Sequence, residues 1–289
     1  MKTIHRNQID PHRRWSPVAV CGKFLLYAVL IFWAVVSVFP FWWMLVCATR
    51  TTGEMFNIPL PLVPGHSLRQ NLQGLLKVTP FVRQYLNSVF VAVAGTTSQL
   101  FLASLSGYAF AKFDVRGKER FFLIILATMM IPSQLTLIPG FLLMSKLHWL
   151  NTYYSLLVPG LVGAFGIFWM RQYIAEAVPS ELLDSARVDG CHEFLIFTRI
   201  VLPITTPALA ALGTFIFLGF WNDFLWPLIV LREPGMYTLP VALRFLTTTY
   251  MFDYSKFMIG TALATFPMVL AYLFASRKFI AGLTAGALK

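Results

Sequence analysis

The chain has 289 residues, of which 57% are hydrophobic and 12% charged, with a formal net charge of +11. Soluble globular chains carry about 25% charged residues; half that fraction leaves too little polar surface to cover a soluble protein of this size, so most of the apolar surface must face lipid. The basic excess would suggest nucleic acid for a soluble protein, but these charges sit in short segments between apolar runs, which points to orientation in a bilayer and to no nucleic-acid partner.

Residues 1–23 are basic and polar, and the apolar run behind them is too long for a signal-peptide core. They read as a cytoplasmic N-terminal segment before a retained first span. Six apolar stretches follow, at about 24–48, 86–111, 121–145, 153–175, 204–231 and 257–276. Each is long enough to cross ~30 Å of hydrocarbon at ~1.5 Å per residue. The expectation is an all-α integral membrane protein whose transmembrane domain covers 24–289. With the N-terminus inside, the inner segments hold 15 of the 23 Lys and Arg residues and the outer segments 8. That bias places both termini in the cytoplasm.

Pro40, Pro132, Pro139, Pro159 and Pro267 interrupt the spans, as kinks in a packed bundle or as hinges. The second span carries Ala94, Gly95, Ala103, Ser104, Ser106, Gly107 and Ala109, small residues that suit close helix approach. The outer connection 50–84, with Pro59, Pro61 and Pro64, is expected to be extended.

Several chemistries are absent from the sequence. Gly22-Lys23 and Gly117-Lys118 are followed by Phe24 and Glu119, so neither completes a phosphate loop. There is no HExxH and no GxSxG, and Cys21, Cys47 and Cys191 form no CxxC pair. A membrane-embedded enzyme would need a polar catalytic cluster, and the sequence offers none outside the acidic loop at 176–203. The apolar stretches hold essentially one carboxylate, Asp223. A proton-driven carrier usually buries several ionisable groups, so uphill transport here would draw its energy from a partner.

Between the fourth and fifth spans, residues 176–203 form a cytoplasmic loop with Glu176, Glu181, Asp184, Asp189 and Glu193, five of the 12 acidic residues. Pro179 stops the incoming helix, Ser180 is the expected N-cap, and Glu181 and Asp184 favour the first turn. Leu182, Leu183, Ala186 and Cys191 give a short apolar stripe. Gly190 ends the helix, and a second one follows with Phe194, Phe197 and Ile200 on one side, up to Pro203. Two readings stand: an amphipathic linker lying on headgroups, or a docking helix for a soluble partner. Anionic lipids repel an acidic helix, which favours docking.

The spacing resembles the EAA loop of ABC-importer permeases, E-A-A, three residues, G, nine residues, I-x-L-P. Here Asp184-Ser185-Ala186 precede Gly190 by three residues, and nine more lead to Ile200, Val201, Leu202 and Pro203. The letters depart at Asp184 and Ser185. Trp221-Asn222-Asp223-Phe224 with Trp226-Pro227, then Tyr237-Thr238-Leu239-Pro240, and the terminus Gly282 to Lys289 are similar to the smaller permease of the carbohydrate-uptake, maltose-transporter type. The likeness runs from about residue 20 to the end.

The resemblance implies a binding-protein-dependent ABC-importer permease fold and a non-catalytic chain without cofactors. It implies a second homologous permease completing the path and two copies of an ATP-binding subunit that hold ATP and Mg. An extracytoplasmic sugar-binding protein would dock outside, all in a bacterial inner membrane. Glu181, Leu182, Leu183, Asp184, Ser185, Ala186, Asp189, Gly190, Ile200, Leu202 and Pro203 would couple to the ATPase. Trp221, Asn222 and Asp223 are either a structural cluster closing the fifth span or a path or gate position. Glu233-Pro234-Gly235 is either a plain connection or a loop reaching into the binding protein, and the tail 282–289 would approach the ATPase. A stand-alone carrier of a small solute is the alternative.

Overall fold

The computed structural model describes residues 17–246 and 253–285, with side chains described for 22–246 and 253–273. Residues 1–16 of the expected N-terminal segment, 247–252 of the last outer loop and 286–289 of the expected ATPase-facing tail lie outside the described residues. Every regular element among the described residues is helical. First comes α1, Pro17–Ala48, then α2, Thr52–Met55, and α3, Leu68–Val78. The second span is α4, Phe81–Lys112, five residues longer at its start than its apolar run suggests.

The third expected span is not one helix. α5, Lys118–Thr128, and the helical stretch Ser133–Lys146, which contains α6, Leu137–Lys146, meet at 90°. The break falls at Pro132, whose ring removes an N–H and drives Ile131 out of the helical region. The 11 residues of α5 reach only ~16 Å, so neither half crosses the bilayer alone. The fourth span is bent by 42° between Tyr153–Gly160, which begins with α7, Tyr153–Leu157, and α8, Ala164–Ala177. Pro159 and the extended Gly163 mark that bend. Pro40 and Pro267, by contrast, sit inside unbroken helices.

The loop between the fourth and fifth spans holds α9, Ser180–Val188, and α10, Glu193–Ile196, then a π-helical turn over Phe197–Val201 and α11, Leu202–Ile204. The fifth span combines α12, Thr206–Asn222, and α13, Leu225–Val230. α14, Leu239–Leu246, and α15, Tyr254–Ala285, complete the chain.

α4 is the central helix, with α8 and α12 against it. Its small residues make that closeness feasible. A Cβ at Gly107 would stand 2.6 Å from Met170 Cβ and 2.8 Å from the Arg171 backbone nitrogen, and one at Gly166 would stand 3.1 Å from Ala103 Cβ. α5 is tied to α8 by an ion pair, Arg171 Nη2 to Glu119 Oε1 at 2.7 Å. α1 packs on α15 at the edge and leaves Phe24, Ile31, Trp33 and Val38 exposed, as a helix facing lipid or a neighbouring chain does.

The outer connection is not extended throughout. α2 starts with a capping box between Thr51 and Glu54, and α3 buries Leu75 and Asn71. Asn71 Nδ2 donates to the carbonyls of Ala48 at 2.9 Å and Arg50 at 2.8 Å, which fastens α3 to the end of α1. The residues between α2 and α3, which hold the three prolines, are irregular. Asp253 clasps this layer to α15, accepting from Thr52 at 2.9 Å and Ser255 at 2.6 Å and pairing with Lys256 at 2.9 Å. Burial pushes its carboxyl up, but hydrogen bonds from Ser255, Lys256 and Thr52 outweigh that and hold it well below the usual range.

Candidate functional site

α8 ends at Ala177, and Val178 and Pro179 are extended, so the chain turns sharply before α9. Ser180 is the first helical residue rather than the N-cap. Pro179 occupies the cap position and no side chain caps the helix; Ser180 Oγ accepts from Lys112 Nζ at 3.5 Å instead. The far end of α9 is closed as expected. Gly190 has φ +83°, and the Cys191 and Gly190 N–H groups donate to Ala186 and Arg187 carbonyls, both at 3.0 Å. This is the paired bonding of a Schellman motif, which needs a left-handed residue at the position glycine holds. His192 then caps α10 by accepting from the Leu195 N–H at 3.2 Å.

The expected apolar stripe divides. Leu183 (1% exposed) and Ala186 pack into the chain's own core with Met170, Ile174, Val178, Ile196, Phe197 and Val201. Leu182 (42%) and Val188 (88%) are exposed instead. Glu181, Asp184, Ser185, Asp189 and Gly190 are exposed with them. In the second helix Phe197 is buried and Phe194 exposed, so the expected common side does not hold there. Ile200, Leu202 and Cys191 rest partly buried against the same core, and Pro203 is exposed. The Phe194 and Phe197 rings touch, with centroids 6.3 Å apart, but only Phe197 reaches the core.

A charged network fixes the two short helices. Arg187 Nε donates to Glu193 Oε1 and Arg187 Nη1 to Asp184 Oδ1, both at 2.7 Å. Tyr108, near the C-terminal end of α4, donates its hydroxyl to Glu193 Oε2 at 2.7 Å. The Arg187 hydrogen bond holds the Glu193 carboxyl below its usual value, against partial burial and with help from Tyr108. Arg187 is raised in turn, first by its bond to Glu193. Sequence reasoning missed this network. The Asp184–Arg187 pair at i, i+3 was visible as a helical spacing, but Tyr108 lies 85 residues from its partner.

At the C-terminal end of α12, Trp221, Asn222 and Asp223 point to three different environments. Trp221 is buried, stacks on Phe217 and donates Nε1 to the Ala264 carbonyl at 3.1 Å. It is a packing residue between α12 and α15. Asn222 is exposed and bonds its own helix at the Leu218 carbonyl, 3.0 Å. Asp223 sits half-buried at the break between α12 and α13. It also lines a cavity of about 710 Å³ between α6, the turn at 158–160 and α13.

Glu233 and Pro234 are exposed, but the loop beneath them is fastened from inside. Gln84 Nε2 donates to the Pro234 carbonyl at 2.9 Å, and Asn87 Nδ2 to the carbonyls of Gly235 at 2.9 Å and Tyr237 at 3.1 Å. Asn87 Oδ1 accepts from the Tyr153 hydroxyl at 2.6 Å, and Ser88 Oγ from the Leu239 N–H at 2.6 Å. These buried polar residues of α4 were also missed. Their i, i+3, i+4 spacing at the head of an apolar span was the available signal. Among the described residues no His, Cys, Asp or Glu cluster could hold a metal ion.

The profile of the family described as "binding-protein-dependent transport system inner membrane component" matches residues 99–280. The arabinooligosaccharides transport system permease protein AraQ of Halalkalibacterium halodurans is 36% identical over 280 residues, covering 96% of this chain and 99% of that protein. The lactose transport system permease protein LacG of Rhizobium radiobacter is 36% identical over 257 residues, covering 89% and 93%. The fold is similar to a chain in the crystal structure of a bacterial ABC transporter involved in the import of the acidic polysaccharide alginate. There the TM-score is 0.80 at 21% identity, covering 92% of this chain and 99% of that one.

Proposed function

This chain belongs to the inner membrane components of binding-protein-dependent transport systems, and on that premise we propose that it is one permease of a bacterial sugar ABC importer. It lines half of the translocation path and does no chemistry itself. A second, homologous permease supplies the other half. Two copies of an ATP-binding subunit, holding ATP and Mg, attach at the cytoplasmic face, and a sugar-binding protein delivers cargo at the outer face. Both termini lie in the cytoplasm, following the bias of Lys and Arg. Two relatives that match over most of their length are named for arabinooligosaccharides and lactose, which supports a sugar as cargo.

The observation that carries this reading is the α9–Gly190–α10 unit. Its inner face is locked to α4 and α8 by Leu183, Ala186 and the Tyr108–Glu193–Arg187 bonds. Its outer face offers Leu182 and Val188 among acidic side chains. A rigid element presenting an apolar patch suits a partner whose closing must be passed to the spans as a rigid-body shift. ATP and loaded binding protein would then favour the same arrangement and so be thermodynamically coupled.

The test is reconstitution. Sugar uptake into proteoliposomes should require the ATP-binding subunit and ATP together with the binding protein. Uptake by this chain alone, without any ATPase, would show a stand-alone carrier and end the proposal.

A further inference from the structure

We infer that the turn between α4 and α5 binds the headgroup of an anionic phospholipid through Arg116 and Arg120, with the acyl chains lying against the exposed face of α5. The inference needs only that the chain spans a membrane, so it stands apart from the importer reading.

α4 ends at Lys112 and α5 begins at Lys118, which gathers Lys112, Arg116, Lys118 and Arg120 at the junction of two helices. Gly117, left-handed at φ +83°, turns the chain between them. Two of the four cations are engaged within the chain. Lys118 Nζ donates to the Phe113 carbonyl at 2.8 Å, and Lys112 Nζ to Ser180 Oγ at 3.5 Å. Of the two carboxylates in the turn, Glu119 is taken by Arg171 at 2.7 Å, and that guanidinium also lies over the Phe122 ring, 3.9 Å from its centroid. Asp114 is the remaining carboxylate, and it is exposed. Arg116 and Arg120 are exposed too, and among the described residues no hydrogen bond or ion pair holds either side chain.

This charge adjoins apolar surface. Phe121, Leu123 and Ile124 are each 62% exposed, while Phe122 between them is buried. Water alone would suit the arginines but not these three side chains, and hydrocarbon alone would do the reverse. The boundary between headgroups and acyl chains suits both. Arg120 and Ile124 are four residues apart and share a face of α5, so a headgroup on Arg120 lays an acyl chain over Ile124. Charge then selects the lipid. A guanidinium fork matches two oxygens of one phosphate. A zwitterionic lipid brings its own cation to a site already rich in them, whereas an anionic lipid brings none. Each basic side chain at such a surface strengthens the attraction about fivefold.

The experiment is native mass spectrometry of the purified full chain in a neutral detergent, titrated with phosphatidylglycerol or with phosphatidylcholine of the same acyl chains. Wild type should bind phosphatidylglycerol about 25-fold more tightly than phosphatidylcholine. Arg116→Gln and Arg120→Gln should each lose about fivefold of that preference, and the double variant nearly all of it. The double variant Arg116→Lys with Arg120→Lys should retain most of it, because the charge remains. Added salt should weaken the preference by screening. Arg69→Gln, the loss of an exposed arginine on α3, should leave it unchanged, and the melting temperatures of all variants should match wild type. Equal binding of the two lipids by wild type, or an unchanged preference in the double Gln variant, overturns the site. Displacement of the lipid by inorganic phosphate at matched concentration would show a phosphate site without lipid selectivity and overturn it as well. So would loss of the preference once the partner chains are assembled, which would give this surface to a neighbouring subunit.

Discussion

Two adjacent leucines separate what holds α9 to its own chain from what α9 offers a partner. Leu183 is 1% exposed in a core with Met170, Ile174 and Phe197. Replacing a leucine so buried with alanine costs about 2–5 kcal/mol, the transfer term plus the cavity left behind. Leu182 is 42% exposed and alanine is at least as good a helix former, so Leu182→Ala should change the chain's own stability by ~0.5 kcal/mol or less. At an interface the order reverses: truncating an apolar anchor costs roughly 1–2 kcal/mol of association, about a 5–30-fold weakening. The purified chain would be followed by thermal unfolding in detergent, and the complex by copurification of the ATP-binding subunit. Leu183→Ala should lower the melting temperature of the chain by itself. Leu182→Asp should leave that melting curve in place and loosen the ATP-binding subunit. If Leu182→Asp holds the ATPase as tightly as wild type, the exposed patch is not the docking surface. If Leu183→Ala melts like wild type, the inward orientation of that face is wrong.

At Gly190 nothing lies within 4 Å of where a Cβ would stand, so a substitution there tests φ rather than space. Gly190→Val should cost ~1–2 kcal/mol and reduce ATP-coupled uptake, whereas Gly190→Asn, which tolerates a left-handed backbone, should retain most of it. Equal uptake by both variants would refute the role of φ. Glu193 has a carboxyl depressed mainly by Arg187; its folded value lies below its unfolded one of about 4.3, so its contribution is present above that pH and is lost as pH falls through the folded value. Both side chains are more than a third exposed, which limits the effect to ~0.3–1 kcal/mol. Amide protection factors in α9 and α10, which correct for the slower intrinsic exchange in acid, should fall below about pH 4.3, and Glu193→Gln should be less protected at neutral pH and respond less to acid. Gly107→Leu should cost ~1–3 kcal/mol by overpacking α4 on α8, read as a lower melting temperature, with Gly107→Ala intermediate; an unchanged melt would contradict that close approach.

Much of this fold is written in single-residue chemistry that a sequence reader can use. Apolar run length located the long helices, and the residues around Gly190 marked the helix–glycine–helix that α9 and α10 form. The small residues Gly107 and Ala103 marked the packing of α4. What escaped depends on partners far apart in the chain. Pro132 was visible as a breaker, but its effect, a right-angle break rather than a kink, is set by the packing around it. Leu183 and Leu182 are identical in chemistry, and only the neighbours Met170 and Phe197 decide which is buried. Phe194 and Phe197 are likewise the same residue type, and only Phe197 reaches the core. Trp221, Asn222 and Asp223 read as one motif because they are consecutive, yet a helix end at 222 sends each to a different environment.

The two fastening systems converge on one element. Gln84, Asn87 and Ser88, at the N-terminal end of α4, hold the loop with Glu233 and Pro234, and Tyr108, at its C-terminal end, holds Glu193. α4 is continuous over 32 residues, about 48 Å at 1.5 Å per residue, long enough to reach from one membrane face to the other. Pro132 and the bend at 158–163 break the third and fourth spans, while α4 contains no proline at all. A stiff helix with polar clamps at both ends moves as a unit. On the proposed reading, the surface facing the binding protein and the surface facing the ATPase are therefore linked through α4 by direct hydrogen bonds at each end. The bent third and fourth spans, which border the Asp223 cavity, are the parts of the bundle left to change shape when that unit shifts.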